Sequence, residues 1–200
     1  ISASKGDGYG ADGAYYNTRQ ITGQSPPESE LFDNEIQRIK NNKGNLKYGS
    51  SASDRHIDNF TSLVEKISSS GVKVVVFFPP FALKLHELFQ AKEGDYKYMD
   101  DIKEKLTKRG VEYFDFSDPR VIGSDTCEFF DGTHGGEITY ARILLDLANK
   151  RRDIQKYINI KYLKSIVKKY QGSTFVPNAE ITTLPEIDFL EIGCQKIAHE

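Results

Sequence analysis

The chain predicts an α/β fold, a parallel sheet flanked by helices, and three observations lead there. Helical and strand periodicities alternate between Asp54 and Lys150. The run Val72-Lys73-Val74-Val75-Val76-Phe77-Phe78 is apolar on both faces, as in strands covered by helices on each side. A second such run, Val111 to Phe116, follows after further helical text, and strands separated by helices pair in parallel.

Each element follows from local chemistry. Ile1 to Pro27 is rich in Gly, Ser, Tyr and Asn without periodicity and reads as an irregular lead-in. Glu28 to Asn42 can hold one short helix on Leu31, Phe32, Ile36 and Ile39, and the polar text from Asn41 to Ser53 returns to loop. Ser53 or Asp54 can cap the next helix, whose apolar face is Ile57, Phe60, Leu63, Val64 and Ile67; Ser68-Ser69-Ser70-Gly71 ends it. Pro79-Pro80 stops the first strand, because proline has no amide to give a ladder. Helices are expected from about Phe81 to Lys92 and from about Met99 to Arg109, with Gly110 closing the second. Ser117-Asp118-Pro119 ends the second strand, and after a loop Ile138, Ala141, Leu144, Leu145 and Ala148 recur at helical spacing. Arg151 to Tyr170 gives another helix with a solvated basic face, and the tail carries short strand-like runs at Phe175-Val176 and Ile187 to Ile192. The division is a lead-in over 1–53, an α/β core over 54–150, and an appendage over 151–200 packed on that core or on a partner segment.

Composition narrows the function classes. At 38% hydrophobic and 28% charged, 200 residues can build a core. A net charge of -2 offers no bulk attraction for nucleic acid or anionic membrane, so no nucleic-acid partner is expected. No apolar run approaches the ~20 residues of a membrane span, and no signal peptide precedes the domain. The chain opens on Ile1 rather than Met, which reads as a piece of a longer or processed protein. Cys127 and Cys194 read as two unpaired thiols, with one bridge tying the tail to the loop near Asp131 as the alternative.

Chemistry concentrates in Phe129-Phe130-Asp131-Gly132-Thr133-His134-Gly135-Gly136. An acid three residues before an imidazole, on a tight turn, can accept the Nδ1 proton and leave Nε2 free as a general base. The usual client is a serine hydroxyl. The plainer reading is an exposed turn leading into a helix. Right-handed crossovers would set this loop beyond the carboxyl ends of the strands, where open α/β sheets place ligand sites. Phe129 and Phe130 read as wedges holding the loop on the core. Asp115, Asp118, Asp125 and Glu128 could join Asp131 and His134 around a divalent cation, though scattered loop acids are usually solvated. His56 reads as a surface residue and His86 as a partly packed one. With no His-Glu-x-x-His or Cys-x-x-Cys, no metal is expected, and Gly6-Asp7-Gly8-Tyr9-Gly10 is not a phosphate loop, so no cofactor is expected either.

On these residues the chain resembles the SGNH (GDSL-like) hydrolase superfamily, whose last block is Asp-x-x-His before a final helix. It looks most like the branch of alginate O-acetyltransferase-type and D-alanyl transfer-type envelope proteins, where a buried strand ends in Pro-Pro, as Phe77-Phe78-Pro79-Pro80 does here. The resemblance spans roughly Asp54 to Ala148 and implies a three-layer flavodoxin-like domain, incomplete at its N-terminus, in a bacterial envelope. It implies an esterase or O-acyltransferase acting on an acylated carbohydrate, an envelope polymer or a small ester. Asp131 would orient His134, and His134 would deprotonate the serine. The family's nucleophile turn is not matched: Gly6-Asp7-Gly8 has glycine in place of serine, no Gly-x-Asn-Asp occurs, and Gly49-Ser50-Ser51 follows a stretch too polar for a buried strand. The nucleophile is therefore expected on an upstream segment or partner protein, leaving this chain alone inactive or nearly so. A non-catalytic glycan- or protein-binding domain is the alternative.

Overall fold

The computed structural model describes residues 8–9, 15–16, 29–177, 186–188 and 190–196. Among them the chain is mostly helical, with seven α-helices. These are α1 (Ser29–Lys40), α2 (Asp54–Ser69), α3 (Leu83–Ala91), α4 (Lys97–Lys108), α5 (Glu137–Lys150), α6 (Arg152–Gln155) and α7 (Ile160–Tyr170). The strands are two residues long. β1 (Gly8–Tyr9) pairs antiparallel with β2 (Tyr15–Tyr16), and β3 (Phe77–Phe78) pairs parallel with β4 (Phe114–Asp115).

The expected three-layer flavodoxin-like α/β sheet is thereby overturned. Its parallel ladder is only Phe77 opposite Phe114 and Phe78 opposite Asp115, extended by Phe114 N donating to Val76 O at 3.0 Å and Phe116 N donating to Phe78 O at 3.1 Å. A strand apolar on both faces needs a neighbour at each edge to satisfy its amides. Among the described residues each of these segments has one neighbour, so the sheet ends at two strands. Side chains carry the same mark. Val72 is 54% exposed, and Phe60 and Leu63, expected on the core face of α2, are 39% and 53% exposed, while Ile57 and Thr61 are buried.

What the two strands do have is cover on both faces. Val76 and Phe78 pack with Ile57 of α2, Leu106 of α4 and Val111, whereas Val75 and Phe77 pack with Phe116 and with Ile143 and Leu147 of α5. This is the two-residue alternation of extended chain. Arg109 ties α4 to α2 through Asp58 at 2.6 Å and Asp54 at 3.2 Å. The third apolar cluster joins Phe32, Ile36 and Ile39 of α1 to Leu85 and Phe89 of α3, Tyr96 and Phe129, and this cluster carries the site.

Other expectations shift in detail. The helix expected over Arg151 to Tyr170 is broken, because the Asn159 side chain accepts the Tyr162 amide at 3.1 Å and starts a new helix there. Most of the lead-in through Pro27, including Gly6 and Asp7, lies outside the described residues, apart from the short β1–β2 pair. In the tail, 178–185, 189 and 197–200 also lie outside them. Phe175-Val176 and the described residues near Ile187 form no strand; instead Glu186 accepts the amides of Thr174 at 2.8 Å and Phe175 at 3.0 Å and pairs with Lys196 at 2.7 Å.

Cys127 and Cys194 are disulfide-bonded across 67 positions, correcting the reading of two unpaired thiols. A partner so distant leaves no local pattern. The bridge fits an oxidising location. No helix among the described residues is long and apolar enough to cross a membrane.

Candidate active site

The site is a tight loop between two buried anchors. Phe129 is sealed in the α1–α3 cluster and bridges antiparallel to Gly135. Phe130 N donates to His134 O at 2.8 Å, and Gly136 N donates to Glu128 O at 2.7 Å, closing the loop just before α5. Gly132 O accepts the Ala82 amide at 2.9 Å, fastening the loop tip to the start of α3. Phe130 meets Phe175 edge to face with ring centres 4.5 Å apart. The wedge role expected of the two phenylalanines matches these contacts. The glycines are present for space, since a Cβ on Gly132 would collide with Glu35 and Leu85, and one on Gly136 would collide with the Thr174 carbonyl.

Within this loop Asp131 and His134 meet. Asp131 Oδ1 accepts the amides of Thr133 at 2.7 Å and His134 at 2.8 Å, which leaves Oδ2 for the imidazole Nδ1 at 2.7 Å. Three donors outweigh burial and hold the Asp131 carboxyl below its ordinary range. The hydrogen bond to Asp131 raises His134 above its ordinary value against some desolvation. The carboxylate side chain is 17% exposed and the imidazole 74%. A half-buried acid therefore holds Nδ1 while the Nε2 edge has no hydrogen-bond partner among the described residues. In the neutral ring Nδ1 keeps the proton and Nε2 carries the lone pair, the arrangement a general base requires.

A further acid reaches the pair. Glu35 of α1 is buried at the loop tip, where the Thr133 hydroxyl donates to its Oε1 at 3.3 Å. Burial and the charge of Asp131 push Glu35 from its ordinary 4.5 up to about 7. The sequence reading missed Glu35. Its signal was an acid on the apolar stripe of Phe32, Ile36 and Ile39, three residues after Phe32 and four before Ile39.

The other candidates are employed elsewhere. Asp115 pairs with Lys103 at 2.6 Å, Asp118 with Arg120 at 2.8 Å, and Asp125 caps the Cys127 amide at 2.7 Å. Glu128 is fully buried against Arg142, with Nη2 at 2.8 Å, and also accepts from Ser124 at 2.7 Å and the Gly172 amide at 3.1 Å. The cation cluster weighed from sequence does not assemble: among the described residues no group of three or more His, Cys, Asp or Glu could hold a metal ion. His56 is exposed, while His86 is buried and lies 3.7 Å from Asp118. Ser50 and Ser51 are not brought to His134. They are exposed in a turn bound to the start of α4, through Gly49 N to Asp95 O at 2.8 Å and Ala52 N to Asp101 Oδ2 at 2.7 Å. A cavity of about 290 Å³ opens between α3 and α4, with Phe81, Phe89, Tyr98 and Met99 in its wall; neither Asp131 nor His134 lines it.

Comparison with protein-family models, curated proteins and solved structures finds no match to this chain.

Proposed function

We propose that Asp131 and His134 form the general-base pair of a serine acyl-transfer enzyme, an esterase or O-acyltransferase acting on an acylated carbohydrate or envelope polymer. One observation carries this reading: a half-buried carboxylate holds Nδ1 at 2.7 Å while the rest of the imidazole is exposed. A turn with only a capping role would need the Asp131 contacts to the Thr133 and His134 amides, and not the one to the ring. The reading takes its chemistry from the SGNH-type resemblance of the Asp-x-x-His block and leaves the layered architecture aside. The serine and the oxyanion donors are assigned to residues outside those described. A bacterial envelope location suits both the disulfide and that resemblance.

Hydrolysis of p-nitrophenyl acetate by the intact protein tests the reading. His134→Ala should lower turnover by about 10²-fold or more, the usual worth of a positioned base. Unchanged turnover would sink it. A binding module for glycan or protein is the second reading, favoured by the lack of any described serine in hydrogen-bond contact with His134. A serine-directed fluorophosphonate separates the two: His134-dependent labelling of one serine marks the enzyme, and no labelling of the intact protein marks the module.

A further inference from the structure

We propose that Glu35 is a positioning residue for the Asp131–His134 pair, coupled to it through the Thr133 hydroxyl so that the charge state of Glu35 sets how strongly His134 holds its proton. The catalytic meaning of this coupling rests on the base role given to His134 above; the coupling itself does not.

The geometry places one hydroxyl among three groups. Thr133 Oγ1 lies 3.3 Å from Glu35 Oε1, 3.1 Å from Asp131 Oδ1 and 3.2 Å from His134 Nδ1. A hydroxyl has one proton to donate. When Glu35 is ionised, Thr133 donates to it, and Asp131 keeps more of its charge for the imidazole. When Glu35 is protonated, Thr133 turns to Asp131 and competes with His134 for the same carboxylate. The negative field of an ionised Glu35 acts in the same direction, favouring the protonated ring. Both effects make His134 the stronger base once Glu35 has lost its proton.

The surroundings show that Glu35 is placed for this rather than merely tolerated. Its Oε2 is buried without a partner of hydrogen-bond geometry, although the Gly132 amide lies near enough to favour the charged form. Buried carboxylate oxygens left unpaired are costly. The charged groups acting on Glu35 from the loop are Asp131 and His134, and α3 sets the apolar Leu85 beside Gly132. On α1 itself, Arg38 lies instead against Gly44. Glu35 forms no ion pair with a described cation, and a protonated His134 acts on it through its field, so the two ionisations sense each other.

The test is a proton–carbon NMR titration of the His134 ring in the substrate-free intact protein, native against Glu35→Gln. Glutamine keeps the shape of the protonated acid, so the fold should hold. The native ring should titrate with a second inflection near pH 7, where Glu35 ionises; in E35Q that inflection should vanish and the main midpoint should move lower. Superimposable curves, or a higher midpoint in E35Q, overturn the proposal. Thr133→Val supplies a second variant, which keeps the Glu35 charge and removes the relay. It should shrink the second inflection, and an undiminished one also counts against the proposal. Because no substrate is present, coupling found in a protein that lacks esterase activity would refute the function proposed above and leave this inference standing.

Discussion

Glu35, Asp131 and His134 give opposite pH dependences to one small cluster. Glu35 ionises near 4.5 when unfolded and at about 7 when folded, so between these values the folded state holds the extra proton. Its contribution to stability is full below 4.5 and is lost as pH rises through about 7. Asp131 is held below its ordinary 3.8, so its contribution is present above that value and fades as pH falls. His134, raised above 6.5, contributes below that value and loses its effect as pH rises through its folded midpoint, but its exposure makes the effect small. Urea unfolding of the native protein should therefore show a loss on the order of 2–3 kcal/mol from this cluster between about pH 5 and pH 8. Glu35→Gln should flatten most of that slope; equal slopes in the two proteins would contradict the burial argument. Asp131 and His134 were legible in sequence because they are three positions apart and share one turn. Glu35 was not, because it reaches Thr133 across 98 positions and only packing brings them together.

At the scale of elements, the loop is held to α5 and to the end of α7 by a buried charge. Glu128, fully buried, is compensated by Arg142 of α5 and bonded by Ser124 and the Gly172 amide. Such a pair is not itself a large source of stability, yet removing one partner strands the other. Arg142→Ala should cost about 3–5 kcal/mol in urea unfolding, and the double change Arg142→Met with Glu128→Gln should cost clearly less. Equal losses would contradict the stranded-charge account. The helices were readable in outline: apolar spacing marked α1, α2 and α5, and Gly110 marked the end of α4, where its φ of 73° suits a residue without a side chain. Asn159 was passed over inside a helical pattern, although its side chain is a good cap and restarts the helix there. Glu128 read as a solvated loop acid because nothing local to it announces Arg142, fourteen positions away on the next helix.

At the scale of the whole molecule, closure depends on the tail. The disulfide ties Cys194 to Cys127 immediately before the site loop, and Lys196 reinforces it by bonding Cys127 O and Glu186 Oε1, each at 2.7 Å. Constraining a loop of that length stabilises by roughly 4 kcal/mol on the chain-entropy account. Dithiothreitol, or Cys194→Ser, should lower unfolding stability by about that much, and an unchanged urea midpoint would show that the tail adds nothing. The sheet is where the sequence misled. Val72 to Phe78 and Val111 to Phe116 have the composition of buried parallel strands, but composition reports what a segment could pair with and not whether partners are at hand. The proposed base role of His134 depends on which of its ring nitrogens carries the proton. Nitrogen-15 NMR of the neutral imidazole measures this directly: the account predicts a protonated Nδ1 and a bare Nε2 in the native protein, lost in Asp131→Asn. A neutral ring protonated on Nε2, as in an imidazole that no acid orients, would contradict it.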